Sequence, residues 1–231
     1  MKVNSAYVGA YMDAITFEAL WKRLSKEKQE RLKKFKRQQD IVRSLVADLL
    51  ARTMCAEALS CSMEDVEFEY NEFGKPLVSG DTPCYFNVSH SGDWVVCAVD
   101  SDAIGIDIEQ KSDIDLEIAR RFFTSQEYRY IFGGDPITRK DRFYEIWTFK
   151  ESYIKAVGKG LSIPLQSFEV QIEKQEYGES LLARIDRNSS SDNVWFLKQF
   201  NMNADYKVAI CAKERLFTQT IHNIDINRLS L

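Results

Sequence analysis

Two carboxylates stand two residues apart in Ile104-Gly105-Ile106-Asp107-Ile108-Glu109. The alternation reads as a β-strand, in which residues two apart share a face. Ile104, Ile106 and Ile108 then pack inward. Asp107 and Glu109 project together from the other face, which is expected to be exposed, with Gly105 beside them. Carboxylates this close repel unless a proton or a cation lies between them. Hard oxygen ligands with no accompanying His or Cys suit Mg²⁺. Taken alone, an Asp-x-Glu pair is more often a solvated strand edge.

A second group lies in Trp147-Thr148-Phe149-Lys150-Glu151-Ser152-Tyr153-Ile154-Lys155. Trp147, Glu151 and Lys155 recur at i, i+4 and i+8, one stripe of a helix. As a surface pair, Glu151 and Lys155 would contribute only about 0.3–0.5 kcal/mol. The following Gly158-Lys159-Gly160-Leu161-Ser162 is not a phosphate loop. A Walker A loop needs a Gly where Tyr153 stands, and it opens a helix where this segment closes one. The third group is Phe86-Asn87-Val88-Ser89-His90-Ser91-Gly92. His90 is one of two histidines, the other being His222. A lone His is more often structural, but one set among two serines and a Gly in a turn can contact phosphate. Ser89 and His90 make a poor hydrolytic dyad, because neighbours in a strand point apart and no Gly-x-Ser-x-Gly elbow exists.

These groups need a frame. Residues 3–11 read as a strand and 16–34 as helix, ending in a basic cluster of Lys26, Lys28, Arg31, Lys33, Lys34, Lys36 and Arg37. Most of that cluster reads as a solvated helix face. Ile41, Leu45, Val46, Leu49 and Leu50 mark a long amphipathic helix over 39–59, with Ser44 among them. Asp65–Tyr70, Phe86–His90, Trp94–Val99 and Ile104–Glu109 alternate or run apolar as strands. One or two short helices follow in 115–132, then a strong helix over 141–157 closed by Gly158. Phe168–Ile172, Trp195–Phe200 and Tyr206–Ala212 complete the strands, and Ser189-Ser190-Ser191 reads as a loop. Long helix, strand and apolar strand thus occur at 39–99 and again at 141–212. That repeat favours an α+β fold of two similar halves, 1–103 and 104–231, with a ligand between them.

Composition narrows the field. The 231 residues are 45% hydrophobic and 29% charged, enough for a real core. A net charge of -4 argues against a nucleic-acid binder, so any anionic ligand needs locally placed cations. Cys55, Cys61, Cys84, Cys97 and Cys211 are odd in number and lack CxxC spacing, so they are expected to be buried free thiols in a reducing compartment. No signal peptide and no apolar run of roughly 20 residues is present, so a cytoplasmic location is expected.

Taken in order, the three groups resemble the surfactin-type (Sfp-type) 4'-phosphopantetheinyl transferases. That family's Gly-[Ile/Val]-Asp-x-Glu strand appears as Gly105-Ile106-Asp107-Ile108-Glu109. Its Trp-[Ser/Thr]-x-Lys-Glu-[Ser/Ala]-x-x-Lys helix appears as Trp147–Lys155. Gly74-Lys75-Pro76 and Phe86–Ser91 match further motifs, and the similarity runs to about Ala212. The resemblance implies two similar α+β halves related by a pseudo-two-fold, with the site in the cleft between them. It implies transfer of the phosphopantetheine arm of coenzyme A to a carrier-protein serine. Shorter relatives assemble as trimers, so a chain with both halves is expected to work as a monomer.

Residue by residue, the resemblance makes Asp107, Glu109 and Glu151 the metal ligands. Lys155 becomes the pyrophosphate lysine and His90 a phosphate contact. Lys75 and Ser89 become coenzyme A contacts, Lys28 and Arg31 the basic residues at the 3'-phosphate, and Ser44 a hydroxyl where Thr is common. The Lys174–Ser191 region and the tail after Lys213 have no clear counterpart. The expected chemistry has Mg²⁺ between the carboxylates and the pyrophosphate, Lys155 and His90 as donors, and Glu151 as general base, directly or through a water. The carrier is expected at the basic cluster 26–37 or at an apolar rim including Phe122 and Phe123. A non-catalytic coenzyme A-binding module and a metal-dependent hydrolase of the coenzyme A pyrophosphate are the competing readings.

Overall fold

The computed structural model describes residues 1–9, 12–173, 180–186, 194–200 and 202–230. Residues 10–11 of the first expected strand, and Ser189-Ser190-Ser191, lie outside them. In chain order the elements are β1 (Lys2–Tyr7), α1 (Ala14–Lys22), α2 (Lys26–Leu32), α3 (Gln38–Leu59), β2 (Phe68–Tyr70), β3 (Pro76–Val78), β4 (Tyr85–Ser91) and β5 (Trp94–Asp100). There follow β6 (Ile104–Gln110), α4 (Ala119–Phe122), α5 (Ser125–Phe132), α6 (Arg139–Val157), β7 (Gln171–Ile172), β8 (Leu182–Asp186), β9 (Val194–Phe200), β10 (Tyr206–Ala212) and β11 (His222–Ile224).

Strands that are apolar on both faces must be covered on both, and this condition builds the fold. On β5, Val95, Cys97 and Val99 face the core under α3, while Val96 and Ala98 face a second core between the sheets. On β10, Ala209 and Cys211 face the core under α6, while Val208 and Ile210 meet that same central core. Ile104, Ile106 and Ile108 of β6 complete it. The first sheet runs β11-β1-β5-β4 and the second β6-β10-β9-β8-β7. Each half therefore places its first strand antiparallel to the last strand of a hairpin, β1 on β5 and β6 on β10. The repeat in the sequence is a repeat of topology.

Several expectations change in detail. The helix over 16–34 is two helices, because Ser25 caps α2 by accepting a hydrogen bond from the Lys28 N–H. Asp65 and Val66 belong to a tight turn closed by i→i−3 bonds, so β2 begins only at Phe68. Phe168–Ile172 pairs only at Gln171–Ile172. Upstream, the Leu165 and Phe168 carbonyls accept from Lys150 Nζ at 2.8 Å, and the Val170 N–H donates to Glu127. Lys150 and Glu127, each buried, meet at 2.8 Å. β3, β8 and β11 have no sequence expectation. β11 joins the first sheet beside β1, and Leu229 beyond it is buried in the first core. The cysteines are free, but Cys61 is exposed, against the expectation that all are buried. Among the described residues no helix is long and apolar enough to cross a membrane.

The two sheets meet at their edges through side chains. Asn87, Ser89 and Ser91 share one face of β4 by their spacing. Asn87 Oδ1 accepts from the Ile106 N–H at 2.9 Å, Ser89 Oγ from the Ile108 N–H at 3.4 Å and Ser91 Oγ from the Gln110 N–H at 3.0 Å. Three side chains thus satisfy the free edge of β6, whose other edge pairs with β10. Asn87→Ala is expected to strand the buried Ile106 N–H and lower unfolding free energy by about 1–3 kcal/mol in urea titration, with an unchanged m-value.

Candidate active site

β6 is covered on its second face as well. A Cβ placed on Gly105 would stand 2.0 Å from the Ser152 carbonyl oxygen of α6, so only glycine lets the helix approach this closely. That approach decides the state of Asp107. The sequence suggests an exposed acid; Asp107 is instead 3% exposed, walled in by α6 and the β4 ladder. Its Oδ1 accepts from Lys155 Nζ at 2.6 Å and from Ser89 Oγ at 3.1 Å. Lys155 also donates to Ser89 Oγ at 2.8 Å. Ser89 is therefore a hinge between the strand acid and the helix cation.

Glu109 is half-buried and held by two donors, Ser91 Oγ at 3.1 Å and Trp147 Nε1 at 3.3 Å. The helical stripe Trp147–Glu151–Lys155 thus faces the strand pair, with Trp147 steadying Glu109 and Lys155 steadying Asp107. Burial raises the pKa of Asp107, with Lys155 opposing the rise. Burial and then Asp107 raise that of Glu109. Burial, then Asp107, push Glu151 from its ordinary 4.5 to about 7. His90 is exposed to the cavity, where desolvation and the cations Arg43 and Lys155 hold its pKa below normal, so the ring is largely neutral at pH 7.

A cavity of about 410 Å³ gathers nearly every residue singled out in the sequence: Lys28, Arg31, Ser44, Ser89, His90, Asp107, Glu109, Glu151 and Lys155. The N-terminal half supplies the first five and the C-terminal half the last four. Lys75 is the exception. Gly74 and Pro76 line the cavity, but the Lys75 ammonium donates to the Ala156 and Ile104 carbonyls at 3.0 and 3.3 Å. Burial there lowers its pKa to about 8. Phe123 is core, packed on Phe143 and Trp147, and cannot form an apolar rim; Phe122 is half-buried against Trp147.

The donor set fits a hard divalent cation. All three carboxylates carry raised pKa values, and Asp107 Oδ2 is buried with no hydrogen-bond partner, an oxygen left for something else to satisfy. Among the described residues no three metal-ligating groups stand close enough to chelate an ion as they are; Lys155 holds Asp107 in their stead. Four contributors have no sequence expectation as site residues. Asn87 and Ser91 carry a legible signal, their two-residue spacing with Ser89. Trp147 shares the helical stripe, but its position there does not reveal the bond to Glu109. Asp48, which lines the cavity between Lys28 and Arg52, carries no signal in its spacing.

Known proteins agree with this frame. The profile described as "4'-phosphopantetheinyl transferase, N-terminal" matches residues 13–102. The profile described as "4'-phosphopantetheinyl transferase superfamily" matches residues 103–211. The chain is 35% identical over 229 residues to the 4'-phosphopantetheinyl transferase Sfp of Bacillus subtilis (strain 168), covering 99% of this chain and 100% of that protein. It is 43% identical over 157 residues to the 4'-phosphopantetheinyl transferase gsp of Aneurinibacillus migulanus, covering 68% of this chain and 65% of that one. With likeness end to end and both halves of the chain matched, the protein belongs to the Sfp-type 4'-phosphopantetheinyl transferases.

Proposed function

We propose that the protein moves the 4'-phosphopantetheine arm of coenzyme A onto a serine of an apo acyl or peptidyl carrier protein, releasing 3',5'-ADP. One observation carries the reading. A single cavity holds Lys28 and Arg31 together with Lys155, His90 and the carboxylates of Asp107, Glu109 and Glu151. Coenzyme A carries two separate anionic groups, a 3'-phosphate and a pyrophosphate. Lys28 and Arg31 suit the first, and Lys155 and His90 the second.

The reaction breaks the bond between the β-phosphorus and the bridging oxygen of the pyrophosphate. The serine Oγ forms the new bond to phosphorus, and its proton must go to a base. Glu151 suits that task. It lines the cavity, and the burial that pushes its pKa up to about 7 in the metal-free chain makes it a stronger base than an ordinary carboxylate. Lys155 spends two of its three N–H bonds on Asp107 and Ser89, which leaves one for a phosphate oxygen. His90 adds a neutral donor from the β4 end. Asp107, Glu109 and Glu151 would hold Mg²⁺, which when bound supplies positive charge against the pyrophosphate and the departing ADP.

Incubation with apo-carrier, coenzyme A and Mg²⁺ should raise the carrier's mass by one phosphopantetheine, read by mass spectrometry. Cleaved coenzyme A beside an unmodified carrier would instead make the protein a hydrolase, and binding without turnover a non-catalytic module. Chelator should stop transfer, and transfer persisting without metal would remove Mg²⁺ from the reading. Asp107→Ala should abolish transfer and also lower the melting temperature, because Asp107 is buried and paired.

Glu151→Gln should lower kcat by about 10²–10⁴, the usual contribution of general-base catalysis. Normal transfer at every pH would rule Glu151 out as the base.

The metal has a second signature. Glu151 has a raised folded-state pKa, so at this side chain the folded chain binds more protons than the unfolded chain between pH 4.5 and about 7. Its contribution to stability without metal therefore falls as pH rises through that window. Mg²⁺ must displace the proton, so it should raise the melting temperature more at pH 8 than at pH 5.5. Equal shifts at both pH values would count against these ligands.

A further inference from the structure

Asp48 poses a problem. It lines the cavity on α3, one turn after Ser44, among the very cations assigned to an anionic ligand. Its side chain is 6% exposed, and a bare carboxylate there would repel a phosphate. Its surroundings resolve the conflict. Oδ2 accepts from Arg52 Nε at 2.8 Å. Arg52 is itself held in place: it donates to the Val66 carbonyl and lies 4.6 Å above the Phe68 ring. Arg52 therefore neutralises Asp48 and fixes its orientation. The remaining oxygen, Oδ1, holds Lys28 Nζ at 3.1 Å.

Lys28 needs such a partner. It stands on the short helix α2, and a four-carbon stem gives its ammonium wide freedom. Nearby Arg31 is looser, with a 3.4 Å bond to the Tyr70 hydroxyl and its guanidinium 5.8 Å from that ring. Three cations, Lys28, Arg31 and Arg52, against one carboxylate leave two positive charges, which matches a phosphate monoester dianion. Beyond its ion pair with Asp48, the Lys28 ammonium has N–H donors to offer a phosphate. Preorganised donors discriminate strongly against a ligand lacking the group they were set to bind.

We propose that Asp48 is a positioning residue that sets selectivity for a donor bearing a 3'-phosphate, by holding the Lys28 ammonium in the cavity wall. The proposal rests on the reading that Lys28 and Arg31 receive the 3'-phosphate of coenzyme A. It assigns Asp48 no contact with the donor.

The test compares kcat/KM for coenzyme A and for 3'-dephospho-coenzyme A in wild type, Asp48→Asn, Lys28→Ala and the double variant. Asp48→Asn should lower the ratio of the two values by about tenfold, the worth of one charge-assisted hydrogen bond, through the KM for coenzyme A. The double variant should be no less selective than Lys28→Ala alone, because both changes act through one ammonium. Asp48→Glu, which keeps the charge and displaces the oxygen, should recover part of the selectivity. Equal losses with both donors would make Asp48 merely structural and overturn the proposal, as would independent, additive effects on the ratio. If Lys28→Ala collapses the ratio and Asp48→Asn does not, the proposal fails while the donor reading stands. If Lys28→Ala leaves the ratio unchanged, the donor reading fails and the proposal with it.

Discussion

The ladder of Asn87, Ser89 and Ser91 against the edge of β6 is the contact on which the rest of the site depends. A strand edge carries unpaired N–H groups, and burying them without acceptors is costly. Ordinary pairing would have merged the two sheets into one. Side-chain acceptors instead keep β4 and β6 a side chain's width apart, and that separation admits the strand acids. Ser89 and Ser91 serve twice, each accepting from a backbone N–H and donating to a carboxylate of the same strand. The contact that joins the halves is also the contact that orients Asp107 and Glu109.

The electrostatics follow from that packing. Gly105 lets α6 lie directly against β6, which brings Glu151 and Lys155 to the strand acids, buries Asp107 and partly buries the others. Three carboxylates then compete for one ammonium. Lys155 pairs with Asp107, Glu109 takes neutral donors from Ser91 and Trp147, and Glu151 is pushed up to about 7 by burial and Asp107. Unequal environments thus give three similar groups different proton affinities. The same principle operates across the cavity, where Arg52 neutralises Asp48 and leaves Lys28 available.

Much of this arrangement is legible in the sequence. Strict alternation in Ile104–Glu109 and Phe86–Ser91, and the i, i+4, i+8 stripe of Trp147, Glu151 and Lys155, identify faces because strand and helix geometry are local. The resemblance of the ordered motifs names the remaining candidates, and all but Lys75 line the cavity. Lys75 departs for a long-range reason: the C-terminal end of α6 offers carbonyls that need a donor, and its ammonium is the one within reach. The break at Ser25 is hidden because a capping serine and a helical serine look alike within an amphipathic stretch. β11 is hidden because a three-residue strand becomes one only when a neighbouring edge, here β1, is present to receive it.

Residue types and their spacing were enough for the kinds of chemistry available, the faces that carry them, the repeat of long helix, strand and apolar strand, and the resemblance to the family. These depend on residue type and on periods of two and of about 3.6, which each segment expresses alone. The packing of several elements was needed to show that Asp107 is buried, that Lys155 rather than solvent meets it, that Glu151 is pushed toward neutral pH, and that Asp48 stands among the cations. Burial and pairing belong to several elements at once, and a pKa is set by what surrounds a group, which no single segment contains.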